Sequence, residues 1–265
     1  MSEKAVIMPE QIIWSADTTW ENIKAVIENE ALPKGTVIKL DRLFFETHDK
    51  DTITYCQDRG YPVFADAKII EIPDKTLGIA GVYLDYKPWM LNVMAGCCST
   101  GYTTKKEPEK IQDNPKLKDA LERFADACAG VGTKSCAVTV LTSKTEDLCL
   151  EEYSALPIDQ VLFYVELMCD ACLTDIVCSP LEATSIRKEA RYNGLSINTP
   201  GVRLPGSNAD DQARILTPAK ALLGGSNRLV IGRDLIRGDE NLSLVERVKI
   251  NYARIIENIK AGCVE

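Results

Sequence analysis

Eight short apolar runs alternate with eight longer amphipathic segments, and this rhythm limits the fold more than any other feature of the chain. The strand-like runs fall at about 11–16, 36–40, 62–67, 90–95, 135–141, 175–179, 195–199 and 228–232. Between and after them, helical spacing predicts helices at about 18–30, 49–59, 76–86, 115–129, 158–173, 181–193, 217–223 and 241–260. In the last of these, Leu244, Val248, Tyr252, Ile255 and Ile259 recur at three- and four-residue steps and make one apolar face. Eight strand–helix units of about 30 residues point to α/β architecture and a closed (β/α)8 TIM barrel. An open, doubly wound sheet is the alternative. No G-x-G-x-x-G follows the first strand, which weakens a dinucleotide-binding reading. No linker rich in Pro, Gly or Ser interrupts the 265 residues, so the expectation is a single barrel domain over 1–265 with its core at about 11–261. The polar stretch 100–116 is expected to be a surface excursion.

A barrel of this kind carries chemistry at the C-terminal ends of its strands. Asp17 follows the first strand, Lys39 ends the second, and Asp66 and Lys68 end the third, within "VFADAKIIEIPDK". Thr142 and Ser143 follow the fifth, Arg203 follows the seventh, and Gly232 and Arg233 end the eighth. One charge at a strand end is ordinarily solvated. Charges on three consecutive strands together with arginines on the last two converge on one cavity, and that favours a site. Loops seven and eight commonly hold a phosphate in such barrels. Gly232 would let backbone N–H groups approach an oxygen closely, and Arg233 would supply a bidentate cation.

Other classes of function lose ground. The formal charge of −8 and the lack of a basic run argue against nucleic acid or a membrane surface as partner. "MSEKAVIMPEQIIW" does not read as a signal peptide, and no apolar run approaches the length of a membrane span. The expected location is cytoplasmic. The one histidine, His48, sits in the polar "ETHDKD", where it reads as a solvated helix start. A Ser-His-Asp triad would have to use it, and a multi-histidine metal site is excluded. The ten cysteines read as reduced thiols. Cys169 and Cys172 form a C-x-x-C inside an apolar helical pattern, so packing is expected there rather than metal or redox work.

Asp66-x-Lys68-x-x-Glu71-Ile72-Pro73 resembles the D-x-K-x-x-D-I-P signature of the orotidine 5′-phosphate decarboxylase family, and "AVTVLTS" resembles that family's fifth strand. "NTPGVRLPGSNADDQARILTPAKALLGGSNRLVIGRD" resembles its T-P-G-I-R…D-Q-x-R…V-I-G-R region. The resemblance spans about residues 11–237 and implies release of carbon dioxide from orotidine 5′-phosphate to give UMP, with no cofactor and no metal. It implies that Lys39, Asp66 and Lys68 surround the reacting carbon, with Lys68 as proton donor. Glu71 would complete this network from across a homodimer interface. Asp17 would bind the ribose and Thr142 the pyrimidine. Gln212, Gly232 and Arg233 would hold the phosphate, with Arg203 beside them at the base of a closing loop.

Five positions depart from that pattern. Glu71 stands where the family usually has Asp, Asp74 and Lys75 replace Asn-Thr, Asp41 replaces a glycine, and Met94 replaces a histidine. Sister sugar-phosphate decarboxylases and hexulose-phosphate synthases share D-x-K-x-x-D. They usually carry a magnesium-binding glutamate at the position of Lys39, which makes them the second reading. A catalytically silent or weak binder of phosphate ligands is the third.

Overall fold

The computed structural model describes residues 7–96, 115–205 and 216–262. Eight parallel strands close into a barrel in chain order, the first pairing with both the second and the eighth. They are β1 (Ile12–Ser15), β2 (Val37–Asp41), β3 (Val63–Ile69), β4 (Met90–Met94), β5 (Lys134–Val138), β6 (Asp175–Val177), β7 (Ser196–Thr199) and β8 (Arg228–Ile231). Outside lie the helices α1 (Trp20–Glu28), α2 (Arg42–Thr47), α3 (Asp51–Asp58), α4 (Pro73–Leu84), α5 (Pro115–Gly130), α6 (Glu146–Tyr153), α7 (Pro157–Asp170), α8 (Pro180–Ile186), α9 (Pro218–Leu223), α10 (Arg233–Ile236) and α11 (Leu244–Gly262). Among the described residues no helix is long and apolar enough to cross a membrane.

The sequence sets the helix starts locally. Thr19, Thr145 and Thr217 each accept a backbone N–H from the residue three positions on. Pro73, Pro157, Pro180 and Pro218 occupy first helical positions, where a missing N–H costs nothing.

Strand alternation then divides the core in two. Ile12, Trp14, Ile38, Leu40, Val63 and Leu91 point outward and pack under the helices. Ile13, Val37, Phe64, Met90, Cys136 and Val230 point inward and plug the barrel. Two residues further along each strand, and so on the same inner face but nearer the mouth, stand Ser15, Lys39, Asp66, Asn92, Val138 and Gly232. The apolar plug therefore becomes the base on which the charged residues stand.

The opposite end of the barrel is closed by an ion pair. Arg228 begins β8 and Asp175 begins β6. They meet at 2.6 Å with side chains 11% and 1% exposed. Asn198 and Thr174 also donate to the Asp175 carboxylate, and the Arg228 guanidinium lies 5.0 Å from the Trp89 ring centre.

Several local expectations are corrected. Three short helices, α2, α6 and α10, lie in stretches for which no helix was expected. The stretch expected to be helical to 193 ends at Ile186 and resumes as a 3₁₀ turn at Ala190–Tyr192. His48 follows the end of α2 instead of starting a helix, and its ring stacks on Phe44 with centres 4.4 Å apart. Cys172 is exposed and lies beyond the end of α7 with φ +56°, and Cys169 is half-buried, so this C-x-x-C is not a buried helical pair. Cys56, Cys128, Cys136, Cys149 and Cys178 are buried thiols, and burial pushes Cys56 and Cys128 up to about 12. The stretch 100–114, Gln212 and Cys97, Cys98 and Cys263 lie outside the described residues.

Removing one partner of the closing ion pair leaves an uncompensated buried charge. Asp175→Ala should therefore lower the unfolding free energy in urea by about 3–5 kcal/mol.

Candidate active site

A cavity of about 360 Å³ opens at the C-terminal ends of the strands. Phe64, Val138, Val177 and Val230 make its apolar floor, and Asp17, Lys39, Asp66, Lys68, Thr142, Arg203, Gly232 and Arg233 all line it. Eight of the ten residues expected to hold site roles thus meet in one pocket, together with Ser143. Glu71 does not line it. Its exposed carboxylate accepts the N–H of Ile72 at 3.2 Å, in the turn before α4.

Asp66 is the centre of the charged wall. Its side chain is 6% exposed, and one carboxylate oxygen, Oδ2, accepts from Lys39 Nζ at 2.7 Å and from Lys68 Nζ at 2.6 Å. The other, Oδ1, accepts from Asn92 Nδ2 at 2.7 Å. Burial alone would raise the Asp66 pKa, but the two ammonium groups outweigh it and hold the carboxyl well below its ordinary range. For Lys39, burial acts to lower the pKa, and attraction to Asp66 and Asp17 outweighs it, so the group is raised. Asp17, steadied by Ser15 Oγ at 3.1 Å, adds a fourth charge, and the signs alternate from Asp17 through Lys39 and Asp66 to Lys68.

The backbone beneath this wall is irregular. Ala65 pairs with Leu91, yet the next pairing is Ile69 with Val93, so β3 spends four residues where β4 spends two. Lys68 sits in this bulge at φ +43°, a left-handed conformation that costs a non-glycine residue on the order of 1–3 kcal/mol. Its N–H is taken up by Asn92 Oδ1 at 2.7 Å. The bulge lifts the Lys68 side chain into the cavity, where it is 41% exposed.

On the far wall, Gly232 approaches β1 so closely that a Cβ there would stand 3.3 Å from Ser15 Cβ and 3.4 Å from Asp17 Oδ2. Asp234, buried in α10, accepts the N–H of Leu204 at 2.8 Å and lies 3.8 Å from Arg203 Nε. It thereby ties the segment after β7 to the end of β8.

Two of the residues expected to depart from the family pattern make scaffold contacts. Asp41 Oδ1 accepts the N–H of Phe44 at 2.8 Å and caps α2. Asp74 pairs with Arg123 at 3.1 Å and joins α4 to α5. Lys75 is exposed and Met94 is half-buried at the end of β4, and nothing in the structure explains either choice. Sequence reasoning missed Asn92 and Asp234. A polar residue inside the buried run "MLNVMA" was the available signal for Asn92, because a buried carboxamide must find partners.

This wall can hold an anionic group against two ammonium ions, stabilise negative charge that develops beside Lys68, and deliver a proton there. The family model described as "Orotidine 5′-phosphate decarboxylase / HUMPS family" matches residues 10–248. A protein of Haemophilus ducreyi named orotidine 5′-phosphate decarboxylase is 31% identical over 247 residues, covering 93% of this chain and 100% of its own. One of the same name from Pseudomonas fluorescens (strain Pf0-1) is 32% identical over 225 residues, covering 84% of this chain and 89% of its own. Among solved structures, orotidine 5′-phosphate decarboxylase from Lactobacillus acidophilus shares the fold with a TM-score of 0.67 at 21% identity, covering 94% of this chain and 97% of its own. A conserved protein of Geobacillus kaustophilus, described as uncharacterized, does so with a TM-score of 0.68 at 22% identity, covering 94% of this chain and 99% of its own.

Because the Asp66 pKa is depressed on folding, its ionic contacts stabilise the fold above the unfolded carboxyl pKa of about 4 and are lost as pH falls toward the folded value. The stability gap between the wild type and Asp66→Asn, measured by urea unfolding, should be flat from about pH 5 to 7 and shrink steadily below about pH 4.

Proposed function

The chain belongs to the orotidine 5′-phosphate decarboxylase / HUMPS family, and on that premise we propose that it converts orotidine 5′-phosphate to UMP. The observation that carries this reading is the meeting of Lys39 and Lys68 on one oxygen of buried Asp66, directly above an apolar floor. Loss of carbon dioxide from carbon 6 of the pyrimidine leaves an electron pair with no carbonyl or imine to take it up. The protein must meet that charge with fixed groups.

In the proposed reaction the bond between carbon 6 and the carboxylate breaks, carbon dioxide leaves, and the electron pair stays on carbon 6. Lys68 Nζ then gives a proton to that carbon and regains one from solvent. Asp66 stands close to the substrate carboxylate and repels it, while Lys39 keeps Asp66 ionised. The apolar floor receives the ring, with Thr142 at the pyrimidine and Asp17 at the ribose. Gly232, Arg233 and Gln212 hold the phosphate, with Arg203 at the loop's base. Binding energy at that phosphate orders the site for chemistry at a distance from it.

Glu71 is proposed to serve the neighbouring active site of a homodimer. Its exposed position on the turn before α4, outside its own chain's cavity, supports that role. A metal-free reaction, a cytoplasmic location and the absence of a nucleic-acid partner belong to the same proposal. The second reading, a magnesium-dependent sugar-phosphate enzyme, would put a metal-binding glutamate where this chain has Lys39, and the Lys39 ammonium pairs with Asp66 at 2.7 Å.

The test is the loss of orotidylate absorbance in the presence of EDTA. Turnover should be undiminished by the chelator, and dependence on magnesium would favour the sister enzymes. Lys68→Ala should lower kcat by roughly 10²–10⁴-fold while nucleotide binding persists. Mixing inactive Lys68→Ala and Glu71→Gln proteins should restore activity through hybrid dimers, and no recovery would refute the shared site.

A further inference from the structure

We propose that Asn92 is a positioning residue for proton delivery, its carboxamide fixing both the bulge that presents Lys68 and the carboxylate that Lys68 meets. This rests on the decarboxylase reading above.

The ladder between β3 and β4 breaks off at Ala65–Leu91 and resumes at Ile69–Val93, and Lys68 lies in the break. Asn92 Oδ1 accepts the Lys68 N–H at 2.7 Å, and Nδ2 donates at 2.7 Å to Asp66 Oδ1. One side of the carboxamide must accept and the other must donate, and the order is forced: the donor faces a carboxylate and the acceptor faces an N–H. Leucine would leave both partners buried and unpaired. An ionised aspartate would set its own charge against Asp66.

Asn92 is 0% exposed and does not line the cavity, so it cannot touch a ligand there. Its effect must pass through Asp66 and Lys68. Pinning Oδ1 of Asp66 leaves Oδ2 to take both lysines, and pinning the Lys68 N–H holds φ at +43°, from which the ammonium projects into the cavity. An ammonium displaced by even an ångström is poorly placed to protonate a short-lived anion.

Asn92→Asp gives a reading that a purely structural role would not. The charged and titratable groups around position 92 are Asp66 and Lys68 on β3, Lys39 on β2 through Asp66, and Cys136, its register partner on β5. Asp17 acts on Lys39 from beyond β1, and Asp175 of β6 and Arg228 of β8 act on Cys136. A carboxyl beside Asp66 is held protonated by that charge and by burial, and in that form it reproduces the donor and the acceptor of the carboxamide. As pH rises it ionises, repels Asp66 and releases the bulge.

The experiment is steady-state orotidylate decarboxylation by the wild type, Asn92→Asp and Asn92→Ala across about pH 5.5 to 8.5, with UMP affinity measured in parallel. Asn92→Asp should approach wild-type kcat at the acid end. Relative to wild type it should lose at least about tenfold as pH rises, with UMP affinity kept. Asn92→Ala should lose roughly a hundredfold in kcat at every pH. Asn92→Ala opens a cavity in the core, so the near-isosteric aspartate variant carries the decision. An Asn92→Asp profile parallel to wild type, or kcat and UMP affinity falling together, would overturn the inference. A wild-type protein that leaves orotidylate unchanged would instead overturn the reading beneath it.

Discussion

A carboxylate buried inside a barrel is tolerable only if every direction from which it can accept is answered. Asp66 is answered by two ammonium groups on one oxygen and a carboxamide on the other. The rest of the site follows from this requirement. The partners come from β2, from β3 itself and from β4, so three neighbouring strands must end at matching heights. The apolar plug of Ile13, Val37, Phe64 and Met90 sets that height, since the polar residues stand two positions beyond it. Removing water from the plug and compensating the charge above it are thus one construction problem, solved by one strand register.

The two ends of the barrel use charge differently. At the floor, Asp175 and Arg228 sit in contact and nearly dry, with Asn198, Thr174 and Trp89 filling the remaining directions. At the mouth, Lys68 is shared between Asp66 and open space, and Arg203 and Arg233 border a cavity. The same residue types lock one end and line a cavity at the other, where Lys68 at 41% exposed contrasts with Arg228 at 11%.

Much of this was legible in the sequence because the signals were local. Alternating periods located all eight strands to within a few residues, and the order of charges at their ends named the charged residues of the cavity wall. Short helices escaped, since α2 and α10 span little more than a turn and show no periodicity; α2 depends on the single cap from Asp41. The bulge in β3 also escaped, because it is a relation between two strands and "FADAKII" alone reads as a plain strand. Asp41 and Asp74 looked like disturbances of the site when judged by their place along the chain. Their side chains turn to Phe44 and Arg123 and serve the scaffold. Gln212 lies outside the described residues, and Glu71 turns away from its own cavity, so a single chain is silent on both roles.

The surplus length in β3 has an evolutionary consequence. Lys68 and Asn92 lie 24 positions apart, yet one supplies the N–H that the other exists to accept. A lineage that straightened the strand would strand the carboxamide in the core, and one that lost the carboxamide first would be left with a bulge nothing supports. Each change alone removes one side of a hydrogen bond inside the barrel, so the two positions are coupled in stability. What is inherited here is a matched pair of strands, and a short motif copied onto another barrel without its neighbour would carry the letters and leave the geometry behind.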